Sequence, residues 1–225
     1  MFNNYVGILI AATILLFTIG CSGEKNPDTT SVQTDVKVNE TSEVVNNATT
    51  LINQGNLGDA QKLLEDALVK EPENGAYHYY IGNIYRKQEN LDKALEYYLT
   101  ASKKDSSLKE AYNNAAAILL VQQNISKAEE VINEGLSKHA EYQELIMKKG
   151  MVLYIQQKYQ DCITTLEGMA SDVVYFDASR FVGLSYLQLN KKAEAAKYLK
   201  IYLETAPDGL NVKEEIRQIY QGISK

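Results

Sequence analysis

Small side chains recur every 34 residues along most of this 225-residue chain. The clearest unit spans residues 75–108, with Gly82 at its position 8 and Ala94 at its position 20. Moving along the chain by one period at a time, with the last period one residue shorter, gives the residues at the same two positions of the other units. These pairs are Ala48 and Ala60, Ala116 and Ala128, Gly150 and Cys162, and Gly183 and Ala195. A fixed period of this length predicts a stack of similar supersecondary units, each packed on its neighbours.

Large apolar residues occupy positions 11 and 24 of the same units, as Tyr85 and Tyr98 do in the clearest copy. The chain has only three Pro and is rich in Ala, Leu, Lys, Glu and Gln, so each unit is predicted to be a pair of antiparallel helices. We expect the two helices to pack closest where positions 8 and 20 meet, because only a small side chain permits that approach. Cys162 is accordingly expected to be a small buried hydrophobic residue.

The period and its small residues resemble the tetratricopeptide repeat (TPR) family, although the family's Trp at position 4 is missing and His78 stands there in the clearest copy. The resemblance implies an all-α fold, a right-handed superhelical solenoid of five TPR helix pairs plus a C-terminal capping helix. The predicted repeats are residues 41–74, 75–108, 109–142, 143–175 and 176–209. Residues 210–225 are predicted to be an amphipathic helix, with Asn211 as its N-cap, that covers the apolar end of the stack.

The resemblance also implies that the first helix of each pair lines an inner groove in which a partner binds. At the inward positions the second repeat is polar or basic, whereas repeats three to five are mostly apolar. The predicted groove residues are Tyr79, Asn83, Arg86, Lys87, Ala117, Leu120, Val121, Met147, Met151, Tyr154, Ile155, Leu184 and Leu187. We expect the apolar part to hold an apolar or amphipathic peptide, with Arg86 and Lys87 meeting its acidic groups.

An equally open alternative is that the apolar groove residues are core, buried by curvature or by the capping helix. If they are exposed, changing Met151 and Leu184 to Asp should abolish partner capture without unfolding the domain.

Some TPR proteins clamp the terminal carboxylate of a peptide with two Asn and several basic side chains. Asn83, Asn114 and Lys148 match three positions of that clamp. Tyr79 and Glu144, however, stand where the clamp has Lys. The sequence therefore argues against this mode of peptide capture.

The first 20 residues are predicted to be an export signal. Residues 5–20 carry no charge, but the run is shorter than the roughly 20 apolar residues of a membrane-spanning helix. It ends at Gly20-Cys21, which resembles the box where bacterial lipoproteins are cleaved and their Cys receives a diacylglyceryl group. The resemblance implies a lipoprotein signal peptide (1–20), a lipidated Cys21 and a flexible tether over residues 21–40. An uncleaved anchor, or secretion after cleavage at Gly20, remains open.

The remaining composition offers little chemistry. A formal net charge of −6 gives no basic surface for nucleic acid. Two Cys and two His occur, without the spacing of a metal or redox site, and no phosphate loop or nucleophile elbow is found. We expect no cofactor, no metal and no enzymatic activity. Glu65, Asp66, Glu129 and Glu130 are expected on the solvated outer face.

These features predict a membrane-anchored adaptor of the cell envelope that binds a protein or peptide partner. Ser22 after Cys21 favours the outer membrane if the host has two membranes. The alternatives are a structural assembly factor for pili or outer-membrane machinery, a self-assembling structural protein, or an enzyme with a cryptic site in the groove.

Overall fold

A computed structural model of the chain describes residues 36–224, with side chains described from residue 41 onward. These residues form eleven α-helices and one 3₁₀-helix and contain no strand, which confirms the all-helical prediction. The helices are α1 (Val36–Asn53), α2 (Leu57–Lys70), α3 (Gly75–Lys87), α4 (Leu91–Lys104), α5 (Lys109–Val121), α6 (Ile125–Lys138), α7 (Gln143–Ile155), α8 (Tyr159–Leu166), α9 (Phe176–Gln188), α10 (Lys192–Thr205) and α11 (Asn211–Ile223), with the 3₁₀-helix at Glu167–Met169. The predicted signal peptide, Cys21 and the tether as far as residue 35 lie outside the described residues.

The described residues divide into two compact units, an N-terminal unit of residues 36–119 and a C-terminal unit of residues 120–224. In the N-terminal unit α1 packs on α2, α2 on α3, and α3 on α4. In the C-terminal unit each helix from α6 to α11 packs on the next. First helices of successive repeats also touch, α1 with α3 and α7 with α9. The adjacent pairing is that expected of a helical repeat protein.

Four helices begin at the first residue of a predicted repeat: α3 at Gly75, α5 at Lys109, α7 at Gln143 and α9 at Phe176. Helix α1 instead begins at Val36, so the last residues of the predicted tether are helical.

The N-cap prediction for the last helix is wrong. Asn211 is the first helical residue, and Leu210 occupies the cap, where its carbonyl accepts the Lys213 N–H at 2.9 Å. The physical reason is that the backbone of Leu210 is extended while that of Asn211 is already helical.

The glycines of position 8 are in close contact with the opposite helix of their pair. A Cβ added to Gly82 would lie 2.8 Å from the ring of Tyr98, and one added to Gly183 would lie 2.7 Å from Leu199 Cδ2. The side chain nearest to position 8 is therefore that of position 24. The turn between the helices sets this register, because its length fixes which residues of the two antiparallel helices lie opposite each other.

The small residues at position 20 are nevertheless fully buried: Ala60, Ala94, Ala128, Cys162 and Ala195. Gly82 and Gly183 are buried as well. Small side chains at both positions thus lie inside the helix pairs, as the repeat pattern predicted.

The turn inside each repeat has the same backbone conformation. Position 15 lies in the left-handed region in every copy: Gly55 (φ 82°), Glu89 (60°), Gln123 (58°), Gln157 (62°) and Asn190 (59°). A residue with a Cβ pays about 1–2 kcal/mol for this conformation, and Gly avoids that cost. The residue that follows is the N-cap of the second helix, and Asn90 and Asn124 accept a backbone N–H there at 3.2 and 3.3 Å.

The fourth repeat departs from the others. Its second helix, α8, has eight residues where the second helices of the other repeats have 14, and the 3₁₀-helix continues it for one turn. Gly168, which has low helix propensity, lies in that turn. The loop that follows exposes Val173 and Val174.

Replacing Gly183 with Ala should destabilise the C-terminal unit. The new Cβ would lie 2.7 Å from Leu199 Cδ2 and 3.1 Å from the Leu199 backbone nitrogen, so α9 and α10 would have to move apart. Overpacking of this kind costs about 1–3 kcal/mol, which urea unfolding can measure. Gly222→Ala in α11 is the matched control, because its Cβ would meet nothing within 4 Å. A Gly183→Ala variant as stable as the control would contradict the close contact.

Candidate partner-binding face

The polar face of the N-terminal unit consists of Tyr79, Asn83 and Arg86 on α3 and Asn114 on α5. All four side chains are half-buried, so each contacts the protein and is also open to solvent. Lys87 follows Arg86 at the end of α3 and is exposed, and Ala117 on α5 is half-buried. The structure thus leaves the polar part of the predicted groove accessible.

Tyr98 on α4 holds the polar face together. It is fully buried, and its hydroxyl donates to Asn83 Oδ1 at 2.7 Å. Arg86 and Asn114 lie close enough to the Tyr98 hydroxyl, and Asn83 to that of Tyr79, for each to lower the pKa of the phenol it faces. Three helices therefore contribute to one network.

Burial keeps both tyrosines of this network neutral. Desolvation raises the pKa of Tyr98 far above its ordinary value. Desolvation also raises the pKa of Tyr79, an effect that the hydrogen bond from Asn83 opposes and the nearby Glu110 carboxylate reinforces. The Arg86 guanidinium is therefore the charged group of the network itself at neutral pH.

The apolar part of the predicted groove is mostly core, so the expectation of an exposed apolar surface is wrong. Met151 is 2% exposed and Leu184 is 3% exposed. The other buried members are Leu120, Met147 and Tyr154. Ile155 and Leu187 are half-buried, and Val121 is 41% exposed.

The cause of this burial lies in the packing of α7 and α9. The ring centroid of Tyr154 on α7 lies 5.4 Å from that of Phe181 on α9, and the ring of Tyr159 lies 5.7 Å away on another side. The Arg180 guanidinium lies over the Phe181 ring at 4.4 Å from its centroid and is held by Asp177 Oδ1 at 2.7 Å. These large side chains fill the space that the sequence had suggested for a ligand.

The chain is similar to proteins of known fold. Residues 45–109 match the family model described as tetratricopeptide repeat. The structure of YrrB, described as a TPR protein with an unusual peptide-binding site, aligns with TM-score 0.64 and 16% identity over 81% of this chain and 96% of YrrB. The structure of PilF from Pseudomonas aeruginosa aligns with TM-score 0.64 and 14% identity, over 84% of this chain and 90% of that protein. MamA aligns with TM-score 0.62 and 19% identity, over 80% and 95% of the two chains.

The chain has the tetratricopeptide repeat fold. At these sequence identities the similarity to solved structures establishes the fold and nothing further. No curated protein sequence matches the chain. TPR proteins are generally scaffolds for protein interaction and not enzymes.

The TPR clamp for peptide carboxylates is incomplete, as predicted from the sequence. Asn83 and Asn114 lie on the polar face, but Tyr79 stands beside them in place of Lys. Lys148, the third match, belongs to the C-terminal unit and is only 6% exposed. Burial lowers the pKa of Lys148 to about 8, and the Glu144 carboxylate partly opposes that shift.

The burial and contacts of the other residues named from the sequence are as follows. Cys162 is a free, fully buried thiol, and burial raises its pKa to about 11, which suits a small core residue. The His78 ring lies 6.0 Å from that of Tyr97. Glu65, Asp66 and Glu130 are exposed as predicted. Glu129 is half-buried, because its carboxylate accepts the Gln156 amide at 2.5 Å and lies 3.8 Å from Lys149 Nζ.

Within residues 36–224 no group of three or more His, Cys, Asp or Glu side chains could hold a metal ion. Among the helices described, none combines the length and the apolar character needed to cross a membrane.

Tyr98 and Glu110 were not predicted from the sequence as parts of the candidate site. The sequence does contain one indication that Tyr98 has a special role. Position 24 holds Tyr in this unit, whereas the other units hold Leu64, Ile132, Leu166 and Leu199 there. A hydroxyl at a core position requires a partner, and that partner turned out to be the polar face.

Replacing Met151 with Asp should unfold the C-terminal unit, contrary to the expectation from sequence alone. A carboxylate at a site that is 2% exposed loses its hydration and the packing of the thioether, at a cost of at least about 3 kcal/mol. Val174→Asp is the control, because Val174 is 70% exposed. Circular dichroism during urea unfolding checks both variants. A stably folded Met151→Asp protein would show that this position is open to solvent after all.

Replacing Lys148 with Met should raise the stability of the protein near pH 7. The Lys148 pKa of about 8 lies below the value of about 10.4 for an unfolded Lys. Between these two pH values Lys148 is protonated in the unfolded chain and largely neutral in the folded protein. The free energy of unfolding of the wild type therefore rises with pH in this window, and the stability gained by replacing Lys148 with Met becomes smaller. Urea unfolding at about pH 7 and about pH 9.5 measures the difference. Lys158→Met, at an exposed position, is the control and should show no such dependence. A gain from Met that is equal at both pH values would contradict a lowered Lys148 pKa.

Proposed function

We propose that this TPR protein is a lipid-anchored adaptor of the cell envelope that binds a protein or peptide partner on its polar face. The observation that carries the proposal is the half-buried network of Tyr79, Asn83, Arg86 and Asn114. Side chains in such a network are fixed in place and still reach solvent, which is what specific recognition of a polar partner requires. The TPR fold supports the same role, since repeat proteins bind partners along the surfaces that their stacked units present.

The anchor in this proposal is a diacylglyceryl group on Cys21. Its support is the sequence around Cys21, an uncharged run that ends in Gly20-Cys21. The second thiol of the chain, Cys162, is fully buried with a raised pKa, so it does not compete for modification. Two acyl chains on one residue suffice for stable attachment. Ser22 supports placement at the outer membrane where the host has two membranes.

The role in this proposal is binding without catalysis. The titratable groups with the largest shifts in pKa are buried tyrosines, Lys148 and Cys162, and packing explains these shifts.

A photo-crosslinking amino acid at position 87 tests the binding role in the native host. Lys87 is exposed and adjacent to Arg86, so ultraviolet irradiation should yield a discrete adduct whose second component mass spectrometry identifies. The control is the same amino acid at Val69, which is 84% exposed on α2, a second helix. Adducts at neither position, or equal adducts at both, would contradict binding on the polar face, and an adduct with a second copy of the chain would indicate self-assembly instead.

Fatty-acid labelling tests the anchor. Cells fed labelled palmitate should label the wild type and Cys162→Ala but not Cys21→Ser, and the mature wild type should begin at residue 21. Label that persists in Cys21→Ser, or an unprocessed N-terminus in the wild type, would contradict the lipoprotein assignment.

A further inference from the structure

Two tyrosine rings are stacked on the last TPR helix pair. Tyr186 on α9 and Tyr198 on α10 have ring centroids 5.6 Å apart, and their planes are inclined by 14°. Tyr186 is half-buried and Tyr198 is 8% exposed. Both hydroxyls donate to the same atom, Glu167 Oε1, at 3.2 Å from Tyr186 and 2.6 Å from Tyr198. The proposed binding role makes no use of these two phenols or of the carboxylate that they share.

Lysines lie over both rings of this pair. Lys191 Nζ lies 5.7 Å from the centroid of the Tyr186 ring, and Lys197 Nζ lies 4.9 Å from that of the Tyr198 ring. A ligand that stacked on either ring would have to displace a lysine. The chemistry that remains open to the pair is therefore at its hydroxyl edge, which faces Glu167.

Glu167 is placed to take the phenolic proton of Tyr198. In the resting protein the phenol keeps this proton, because burial and the hydrogen bond to Glu167 raise the pKa of Tyr198 to about 12. The proton becomes strongly acidic once the ring loses an electron, and a base 2.6 Å away accepts it directly. The positive charges of Lys191 and Lys197 disfavour an electron-poor ring, so oxidation of this pair depends on that proton transfer.

We propose that Tyr186 and Tyr198 form an oxidation site, at which two equivalents of a one-electron oxidant join the two rings in a dityrosine bridge. Each phenol gives one electron to the oxidant and one proton to a base, which is Glu167 for Tyr198 and solvent for Tyr186. The two radicals form a carbon–carbon bond between the ring positions next to their hydroxyls. The hydrogen on each of these carbons then moves to the neighbouring oxygen, so the product keeps both hydroxyls and has lost two hydrogen atoms in all.

The bridge joins α9 to α10 covalently. A cross-link that closes a loop stabilises a protein mainly by constraining its unfolded chain, as a disulfide does. Oxidation at this site therefore locks the last TPR helix pair. The oxidant is a chemical class, one-electron acceptors such as the peroxide-activated haem of a peroxidase, and the inference does not depend on the proposed partner.

The second TPR unit contains a matched pair whose carboxylate is occupied. Tyr85 and Tyr97 stand at the same two positions, 11 and 23, with ring centroids 5.4 Å apart and planes inclined by 28°. Glu65 has the position in the first unit that Glu167 has in the fourth, but its carboxylate accepts the Gln61 amide at 2.7 Å. The same Gln61 amide donates to the Tyr85 hydroxyl at 3.1 Å. This pair therefore shares the stacking and differs in the placement of the base.

Photo-oxidation of the full chain in neutral-detergent micelles tests the proposal. The probe is a ruthenium tris-bipyridine complex with persulfate and a light flash, because a small oxidant reaches partly buried rings. Mass spectrometry should find tryptic peptides 181–191 and 198–200 joined, with the loss of two hydrogen atoms. In a mixture of ¹⁴N and ¹⁵N protein each joined product should carry a single isotope, because the bridge forms within one chain.

Substitution of the base separates proton transfer from stacking. Glu167→Gln should slow bridge formation at least about tenfold, because an amide oxygen accepts a hydrogen bond but does not take the proton. Glu65→Gln is the matched control and should leave the bridge unchanged. Both residues are exposed, so these variants leave the core intact. Tyr186→Phe should abolish the joined peptides.

Four results would each overturn the inference. They are a lack of joined peptides, products of mixed isotope, a Glu167→Gln variant that forms the bridge at the wild-type rate, and a yield at Tyr85 and Tyr97 equal to that at Tyr186 and Tyr198. The crosslinking experiment at position 87 addresses partner binding separately, so each proposal can fail without the other.

Discussion

The close approach of paired helices at position 8 is the constraint on which the rest of the structure depends. Where that position is Gly, as at Gly82 and Gly183, a large side chain of the opposite helix occupies the space that a Cβ would need. The touching residue lies 16 positions later, because each repeat has the same turn with position 15 in the left-handed region. One turn and one small residue thus fix the register of a helix pair, and the pairs then pack on their neighbours.

The residue that touches position 8 also decides what the first helix can present to solvent. In the second repeat this residue is Tyr98, whose ring packs on Gly82 and whose hydroxyl reaches Asn83. A phenol at a packing position carries a polar group from the core to the face of the neighbouring helix. The polar face therefore exists because one core residue is Tyr, and Arg86 and Asn114 lie near enough to lower the pKa of its phenol.

Helix α7 of the C-terminal unit is instead mostly buried. Helix α7 has apolar residues on most of its sides, and eight of its 13 residues are buried. A helix that is apolar all round belongs in a core, and that rule, applied to the sequence of α7, would have assigned Met147 and Met151 correctly. The register of the TPR family places these residues in the groove, but register alone does not say how much of their surface the neighbouring side chains cover. Lys148 illustrates the same limit, since it matches a clamp position in the sequence while packing leaves it 6% exposed.

The sequence by itself determined the helical pairs and the positions at which four of the first helices begin, because small residues at a fixed period leave few ways to pack a chain. It also determined that Cys162 is a core residue. Only the tertiary structure decided that position 8 faces position 24, that five of the predicted groove residues are buried, and that Tyr98 joins Asn83, Arg86 and Asn114 in one network. The physical reason is that periodicity reports contacts within one helix pair, whereas burial and hydrogen-bond direction depend on side chains that other helices contribute.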